Sequence, residues 1–396
     1  MDIRVRQGDS LWLYSQLFRI PLNLLLDSNR DINPAGLSIG QIIKIPGYRL
    51  QPYTIRAGDS LWRIAQQRGL PLDALLLANP TINPNNLQIG QQINLPSRVT
   101  TPIVRGQRIY DYAALQQDLN QIVDLYPFVE RRQIGNSVMG KNLDEIQIGR
   151  GNKRVHINAS FHANEWITSP ILMQTLNAYL LALTNNTDIR GRNILPYYNY
   201  VTLSIVPMVN PDGVDLVIHG APTTEPYRSN VLAINGGSSD FSGWKANIRG
   251  VDLNNQFPAL WEQEAAVSVK QPAPRDFPGY QSLSEPETIA MAALTRNSNF
   301  NRVLAYHTQG KVIYWGFEGL EPPESQTLVN EFARVSGYQP IRYVGGWAGY
   351  KDWFIYEFRR PGFTIELGRG GNPLPLFQFE EIYEESLGIF LASLYM

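Results

Sequence analysis

The sequence predicts an α/β protein in three parts: two small βααβ units, then a larger domain whose mixed, mostly parallel central sheet is covered by helices. The first hundred of its 396 residues contain a tandem repeat. From Tyr110 onward, apolar patterns of helix and strand type alternate, which is typical of α/β domains. With about 150 residues as the usual domain size, this length suits two or three domains.

The first hundred residues are two copies of one unit. The five residues 8–12 recur at 58–62, and 21 of the 50 ungapped pairs are identical. In the second copy, residues 53–56 alternate as a short strand, and Ser60 is suited to cap the helix that follows. A second helix and a closing strand at 89–95 complete the unit. Each copy is therefore predicted to fold as βααβ.

The strand–turn–helix opening, the Asn-Pro loop and the Ile-Gly-Gln ending of each copy resemble LysM modules, over about residues 2–97. Modules are expected at 1–48 and 49–98. The resemblance implies binding of glycans that contain N-acetylglucosamine, chiefly peptidoglycan and chitin, in a groove between two loops of each module. Helix capping and internal packing are the alternative roles for the matching residues. Those residues are Gly8, Asp9, Ser10, Asn29 and Ile32, and in the second copy Gly58, Asp59, Ser60, Asn79 and Ile82.

Residues 99–109 are predicted to be a linker, and residues 110–396 a larger domain that carries the chemistry. Its apolar periodicity predicts four helices and four strands, interspersed along the chain. The predicted helices cover 112–125, 169–183, 285–296 and 380–394, and the predicted strands cover 154–159, 201–207, 303–306 and 363–367.

The composition excludes several classes of protein. The chain has no cysteine, which excludes disulfides, thiolate metal sites and cysteine nucleophiles. A net charge of -1 shows no basic footprint for nucleic acid. The apolar stretches are too short to span a membrane, and the N-terminus has no apolar segment of the signal-peptide type. The protein is therefore expected in the cytoplasm, and any histidine chemistry must use four residues.

Two of the four histidines stand where predicted strands end. His162 and Glu165 follow the strand at 154–159 with a spacing of three residues, and His307 follows the strand at 303–306. Sites in α/β sheets assemble at strand ends, and two histidines with one glutamate make a catalytic zinc set that leaves a position for water. The spacing alone also allows a polar helix start at His162 and a structural histidine at position 307.

Five motifs in order resemble the zinc carboxypeptidase (funnelin) family, over about residues 108–396. They are His162-x-x-Glu165, the Asn-Pro-Asp-Gly at 210–213, the Gly-Val-Asp-Leu-Asn at 250–254, His307-Thr308, and the Thr-Ile-Glu-Leu at 364–367. The resemblance implies one Zn²⁺ per chain, with His162, Glu165 and His307 as ligands. It makes Glu366 the general base and acid, and Asp252 the carboxylate that steadies a ligand imidazole.

The residues that would meet the substrate depart from the family pattern. Lys245 replaces the arginine that stabilises the oxyanion, with Arg228 as an alternative, and a surface lysine is an equally good interpretation. The family's Asn-Arg clamp for a terminal carboxylate is here Asn254-Asn255, and asparagine lacks the charged fork of arginine. The family's mobile tyrosine matches Tyr343. Lys351 matches a residue of the specificity pocket, where it favours an acidic substrate group unless it points to solvent.

The two halves together predict a zinc metallopeptidase that LysM modules hold on peptidoglycan. The architecture resembles bacterial γ-D-glutamyl-L-diamino acid endopeptidases, which implies cleavage between γ-D-glutamate and meso-diaminopimelate or lysine in the stem peptide. In those enzymes the absence of a signal peptide accompanies a role in sporulation, so sporulating cells or spores are the expected setting. A carboxypeptidase acting on ordinary L-peptides and a non-catalytic binder of peptidoglycan or chitin are the alternatives.

Overall fold

The computed structural model describes residues 1–343 and 345–396, which divide into two compact units. The first unit comprises residues 1–103, 119–130 and 177–195, and the second comprises residues 104–118, 131–176 and 196–396. The first unit therefore contains both repeats together with two segments of the region predicted as the larger domain, residues 119–130 and 177–195. Within the described residues, no helix combines the length and apolar character that a membrane span needs.

Twelve strands and fourteen α-helices are numbered in chain order over the described residues. The strands are β1 Asp2–Arg4, β2 Ile42–Lys44, β3 Tyr48–Thr54, β4 Gln92–Arg98, β5 Glu130–Asn136, β6 Asn142–Gly149, β7 Lys153–Ala159, β8 Val201–Val206, β9 Arg302–Thr308, β10 Val312–Tyr314, β11 Gln339–Ile341 and β12 Gly362–Leu367. The helices are α1 Leu11–Leu17, α2 Leu22–Asp27, α3 Leu61–Gln67, α4 Leu72–Leu77, α5 Tyr112–Leu125, α6 Thr168–Asn185, α7 Leu195–Tyr200, α8 Pro211–His219, α9 Tyr227–Ile234, α10 Trp261–Val267, α11 Pro286–Ser298, α12 Glu324–Ser336, α13 Tyr350–Phe358 and α14 Phe379–Tyr395.

Each repeat folds as predicted, with two short helices between two antiparallel strands. β1 pairs with β2 in the first copy, and β3 pairs with β4 in the second. The second ribbon is longer than expected, because β3 begins at Tyr48 and pairs there with Arg98. Ser10 and Ser60 cap α1 and α3, each accepting a hydrogen bond from a backbone amide of the first helical turn. The βααβ prediction is therefore confirmed for both copies.

The second unit is built on an eight-stranded sheet of order β11-β10-β12-β9-β7-β8-β6-β5. β12, β9, β7 and β8 run parallel to one another, and β10 runs parallel to β11. The β10–β12 and β6–β8 pairs are antiparallel, which confirms a mixed and mostly parallel sheet. β8 and β9 are buried along their whole length, as strands of a covered parallel sheet are.

The parallel strands bring the chemistry-bearing residues to one edge. β7 ends three residues before His162, while His307 and Glu366 lie near the C-terminal ends of β9 and β12. The register places Glu366 directly beside His307. Because the carboxyl ends of parallel strands point the same way, residues far apart in sequence converge here.

Candidate active site

Three buried side chains meet beyond the end of β7. His162 precedes a one-turn 3₁₀ helix, Ala163–Glu165, and this turn brings Glu165 back beside it. The Nδ1 atom of His162 lies 2.9 Å from Oε1 of Glu165, and Nδ1 of His307 lies 2.9 Å from Oε2. The two Nδ1 atoms are themselves 3.1 Å apart. The structure thus brings together the three residues that the sequence singled out as metal ligands.

This donor set fits zinc. At most one proton can lie between the two facing Nδ1 atoms, and the Glu165 carboxylate brings further lone pairs to the same point. Around a tetrahedral zinc with bonds of about 2.0–2.1 Å, ligand atoms stand about 3.3 Å apart, close to the separations in this cluster. The side chains of His162, Glu165 and His307 therefore converge as ligands of one small cation do.

Asp252 orients His162 from the side away from this cluster. Its Oδ1 lies 3.0 Å from Nε2 of His162, and its Oδ2 accepts a hydrogen bond of 3.2 Å from Nζ of Lys245. Burial alone would raise the pKa of Asp252, but Lys245 and His162 outweigh burial and hold that pKa well below its usual range. An ionised Asp252 keeps the proton of His162 on Nε2 and leaves Nδ1 free to bind metal.

Glu366 is the carboxylate suited to proton transfer. Burial, reinforced by the nearby Glu165 carboxylate, raises the pKa of Glu366 to about 8. A carboxyl group with a pKa near neutrality can accept a proton and return it at ordinary pH. Its position beside His307 places it at the wall of the same cavity.

A polar cavity of about 450 Å³ opens onto this cluster. Two lining residues support the Glu165 carboxylate: the Thr308 amide donates to Oε2 at 3.2 Å, and Nδ2 of Asn372 donates to Oε1 at 3.5 Å. Several lining residues were not predicted from the sequence, because they come from separate turns, loops and strands and share no local motif. The cavity is lined by His162, Asn164, Glu165, Gly243, Lys245, Arg275, Thr308, Gln309, Tyr314, Glu366 and Asn372.

Lys351 is buried and has internal partners. It is only 4% exposed, its Nζ donates to the carbonyl of Gly316 at 2.8 Å, and it pairs with Asp352. Its charge is therefore neutralised inside the protein by Asp352, and the solvent-facing alternative is wrong. Recognition of an acidic substrate group by Lys351 stays a prediction. The internal partners explain why a lysine is tolerated in a buried position.

Other predicted substrate residues lie outside the cavity lining. Tyr343 is half-exposed and its hydroxyl donates to Glu321 at 3.2 Å, and Arg228 is exposed on α9. Asn254 accepts the Tyr350 amide through its side chain. The structure therefore favours Lys245, which does line the cavity, over Arg228 as the cation nearest the metal cluster.

Asn255 occupies the place where the resemblance expects the clamp arginine. Its Nδ2 donates to Oε1 of Glu264 at 3.2 Å, and Glu264 is buried. The side chain at this position is thus a neutral amide that is hydrogen-bonded to the Glu264 carboxylate. A free terminal carboxylate gains no ion pair from Asn255.

The asparagines predicted to bind glycan are internal. Nδ2 of Asn29 donates to the carbonyls of Leu25 and Lys44, and its Oδ1 accepts the Lys44 amide, all within 2.9 Å. Asn79 repeats this arrangement in the second module. Their amide groups hold the second helix to the closing strand, which is the internal role named as the alternative, and glycan contact at these two positions stays a prediction.

The other residues predicted for the glycan grooves include some with internal partners and some that shape the loops. Asp9 binds Arg6 and the Tyr14 hydroxyl, while Asp59 accepts from Tyr53. Gly8 and Gly58 have φ values of 83° and 81°, which glycine adopts without strain. Glycan contact through the loops of Gly8, Ser10, Gly58 and Ser60, and through Ile32 and Ile82, stays a prediction. Trp12 and Trp62, which were not among the predicted glycan-binding residues, are 63% and 62% exposed at equivalent positions of the two modules.

A buried His-Glu-His cluster beside a protonatable carboxylate, opening onto a polar cavity at parallel strand ends, is the arrangement of a zinc-dependent hydrolase. The comparisons with known proteins agree. The zinc carboxypeptidase family model matches residues 115–388, and the LysM domain model matches residues 3–46 and 53–96. The chain belongs to the zinc carboxypeptidase family, and zinc is its cofactor.

Individual relatives place the chain more closely. It is 64% identical over 396 residues, all of both chains, to gamma-D-glutamyl-L-diamino acid endopeptidase 1 of Lysinibacillus sphaericus. It is 24% identical to carboxypeptidase B of Bos taurus over 315 residues, and this alignment covers 74% of this chain and 71% of the bovine protein. Bovine thrombin-activatable fibrinolysis inhibitor superposes with a TM-score of 0.55 and 18% identity, over 73% of this chain and 97% of that one. This last likeness shows a shared fold.

Proposed function

We propose that this enzyme hydrolyses the amide bond between γ-D-glutamate and a diamino acid, meso-diaminopimelate or lysine, in peptidoglycan stem peptides. The observation that carries the proposal is the full-length identity of 64% to an endopeptidase named for that bond. Asn255 supports it independently, because the family's arginine for a free terminal carboxylate is absent. A peptidase without that clamp is suited to a bond flanked by carboxylates in other positions.

The chemistry is assigned to the residues of the cluster. His162, Glu165 and His307 hold zinc, which when bound supplies Lewis acidity and acidifies water. Glu366 accepts a proton from the attacking water and delivers it to the nitrogen of the leaving diamino acid. Asp252 holds the His162 ring in the orientation that binds metal.

We assign to Lys245 the stabilisation of the negative charge that develops on the carbonyl oxygen of the scissile amide. Burial alone would lower its pKa, but Asp252 and Glu165 raise it, so the ammonium group stays charged. The side chain is one-fifth exposed and reaches the cavity while Asp252 holds its Nζ. A positioned cation of this kind stabilises an oxyanion without reorganising during the reaction.

The LysM pair is assigned to targeting. Two weak sites on one chain gain avidity on a repeating polymer, because the second binding event is intramolecular. The exposed rings of Trp12 and Trp62 supply one flat apolar face per module, next to the capped loops at Ser10 and Ser60. We assign these rings to stacking against sugar faces of the glycan strand.

The test is one digest. The enzyme should convert L-Ala-γ-D-Glu-meso-diaminopimelate into L-Ala-D-Glu and free diaminopimelate, which mass spectrometry resolves. Glu366→Gln should stop cleavage while zinc remains bound, because the substitution leaves the three ligands in place. An intact tripeptide after long incubation with the zinc-loaded wild type would refute the assignment. Release of C-terminal residues from ordinary L-peptides would instead support the carboxypeptidase alternative.

A further inference from the structure

Arg275 is a second cation at the cavity, and neither the family pattern nor the comparisons assign it a role. It lines the same space as Lys245 and Glu366. Its side chain is 60% exposed, and its one ion pair within the described residues joins Nε to Oδ2 of Asp276 at 3.4 Å. The guanidinium group is therefore largely exposed at the cavity and accessible to a ligand.

The position of Arg275 is set by the backbone. The amides of Lys245 and Ala246 both donate to the carbonyl of Pro274, at 2.8 and 3.0 Å. On the other side of Arg275, the Asp252 amide donates to the carbonyl of Phe277 at 2.7 Å. The segment that carries Arg275 thus runs alongside the segment that carries Lys245 and Asp252, so its Cα has a defined place at the cavity wall.

The local charges leave Arg275 as the cation with an open fork. Lys245 already faces Asp252 at 3.2 Å and Asp276 at 3.6 Å. Asp276 is half-exposed and shared between Lys245 and Arg275, so water screens its hold on either. A guanidinium group binds a carboxylate through two parallel hydrogen bonds, which lysine cannot do.

The proposed substrate has a carboxylate for this fork. A γ-linkage uses the side-chain carboxyl of D-glutamate in the scissile amide and leaves its α-carboxylate free on the acyl side. Asn254, Asn255 and Lys351, which the resemblance places at the leaving-amine side, do not line this cavity. Since Arg275 and Lys245 line the cavity and those residues do not, the acyl group of the substrate is assigned to this cavity.

We propose that Arg275 binds the free α-carboxylate of the γ-linked D-glutamyl residue and so selects γ-linked stem peptides. The proposal rests on the proposed function and adds the residue that reads the unusual linkage. Because the fork is partly exposed, its pairing with a carboxylate should favour the acid over a neutral analogue by about tenfold.

The experiment compares two substrates that differ in one group. One is L-Ala-γ-D-Glu-meso-diaminopimelate, and the other carries D-isoglutamine, in which the α-carboxylate is an amide. The wild type should cleave the acid with a kcat/KM about tenfold above that of the amide. Arg275→Gln should lose this preference through slower cleavage of the acid alone, and Arg275→Lys should keep part of it. Arg249→Gln is the matched control, since Arg249 pairs with Glu285 and does not line the cavity.

The same comparison is made for binding, by calorimetry in the Glu366→Gln background. A preference for the acid that depends on Arg275 supports the subsite even if the wild type cleaves neither peptide, in which case the proposed function fails alone. Equal effects of Arg275→Gln on the acid and the amide, or no effect on either, would overturn the proposal. A preference that moves instead with amidation of the diamino acid's carboxylate would also overturn it, since the fork would then lie on the leaving-amine side.

Discussion

Replacing Asp252 by asparagine tests how the zinc site is held. The carboxylate is fully buried and bridges Nε2 of His162 and Nζ of Lys245, at 3.0 and 3.2 Å. Asparagine keeps the volume and can still accept from His162 through its oxygen. Its amide nitrogen then takes the place of Oδ2. The Lys245 ammonium group and the Asp276 amide, which both donate to Oδ2, would each face a donor instead of an acceptor.

We expect Asp252→Asn to weaken zinc binding about 10- to 100-fold, the usual cost of losing a carboxylate that orients a ligand histidine. That range corresponds to about 1.4–2.8 kcal/mol of binding free energy. The assay is competition for zinc with a chromophoric chelator of known affinity at neutral pH. Circular dichroism of the zinc-loaded variant checks that the fold persists.

Asp276→Asn is the matched control for this substitution. Asp276 also faces Lys245, at 3.6 Å, but it is half-exposed and does not touch His162. Its zinc affinity should change less than about threefold, because screened surface pairs contribute little. If Asp252→Asn binds zinc as tightly as the wild type, the orientation of His162 does not depend on this carboxylate and the reasoning fails.

Three further predictions concern the bound zinc, the buried Glu287 and the LysM modules. Removing zinc with a chelator should lower Tm, because the folded state then loses the ion that two imidazoles and a carboxylate bind in a buried site. Adding zinc back should restore Tm. An unchanged Tm would contradict a metal site in the folded state. Burial raises the pKa of Glu287 to about 8, so stability is complete at acid pH and falls as pH rises from about 4.5 towards 8. Glu287→Gln should therefore stabilise the protein by up to about 3 kcal/mol at pH 7 and by little at pH 4.5, measured by urea unfolding; equal shifts at both pH values would count against this. Trp12→Ala and Trp62→Ala together should reduce retention on purified peptidoglycan about tenfold or more, with cleavage of the soluble tripeptide unchanged; undiminished retention would remove the stacking role.

Local patterns were sufficient for much of the fold. The helix predicted at 112–125 has those bounds in the structure, and the strand predicted at 201–207 ends one residue earlier. Both follow from periodicity within a single element, where neighbours in sequence decide burial. The tandem repeat likewise needs no tertiary information, since two copies of one pattern imply one fold twice.

The metal-binding residues could also be predicted from the sequence, for a related reason. His162 and Glu165 are brought together by one turn, and His307 and Glu366 lie at the ends of strands that read as apolar runs. Parallel strands carry their C-terminal residues to a common edge, so strand assignment already implies proximity. The family resemblance then attached roles to residues that spacing alone left open.

What the sequence determined by itself was the repeat, the α/β alternation and the residues at the strand ends, because each depends on a few neighbouring positions. Only the tertiary structure decided which polar side chains are available to a ligand. Lys351 finds the Gly316 carbonyl 35 residues away, and Asn29 finds Lys44 across its module. Arg275 reaches the cavity because its segment pairs with the backbone around Lys245. Buried polar groups take partners from distant segments, and the sequence alone does not show which partners those are.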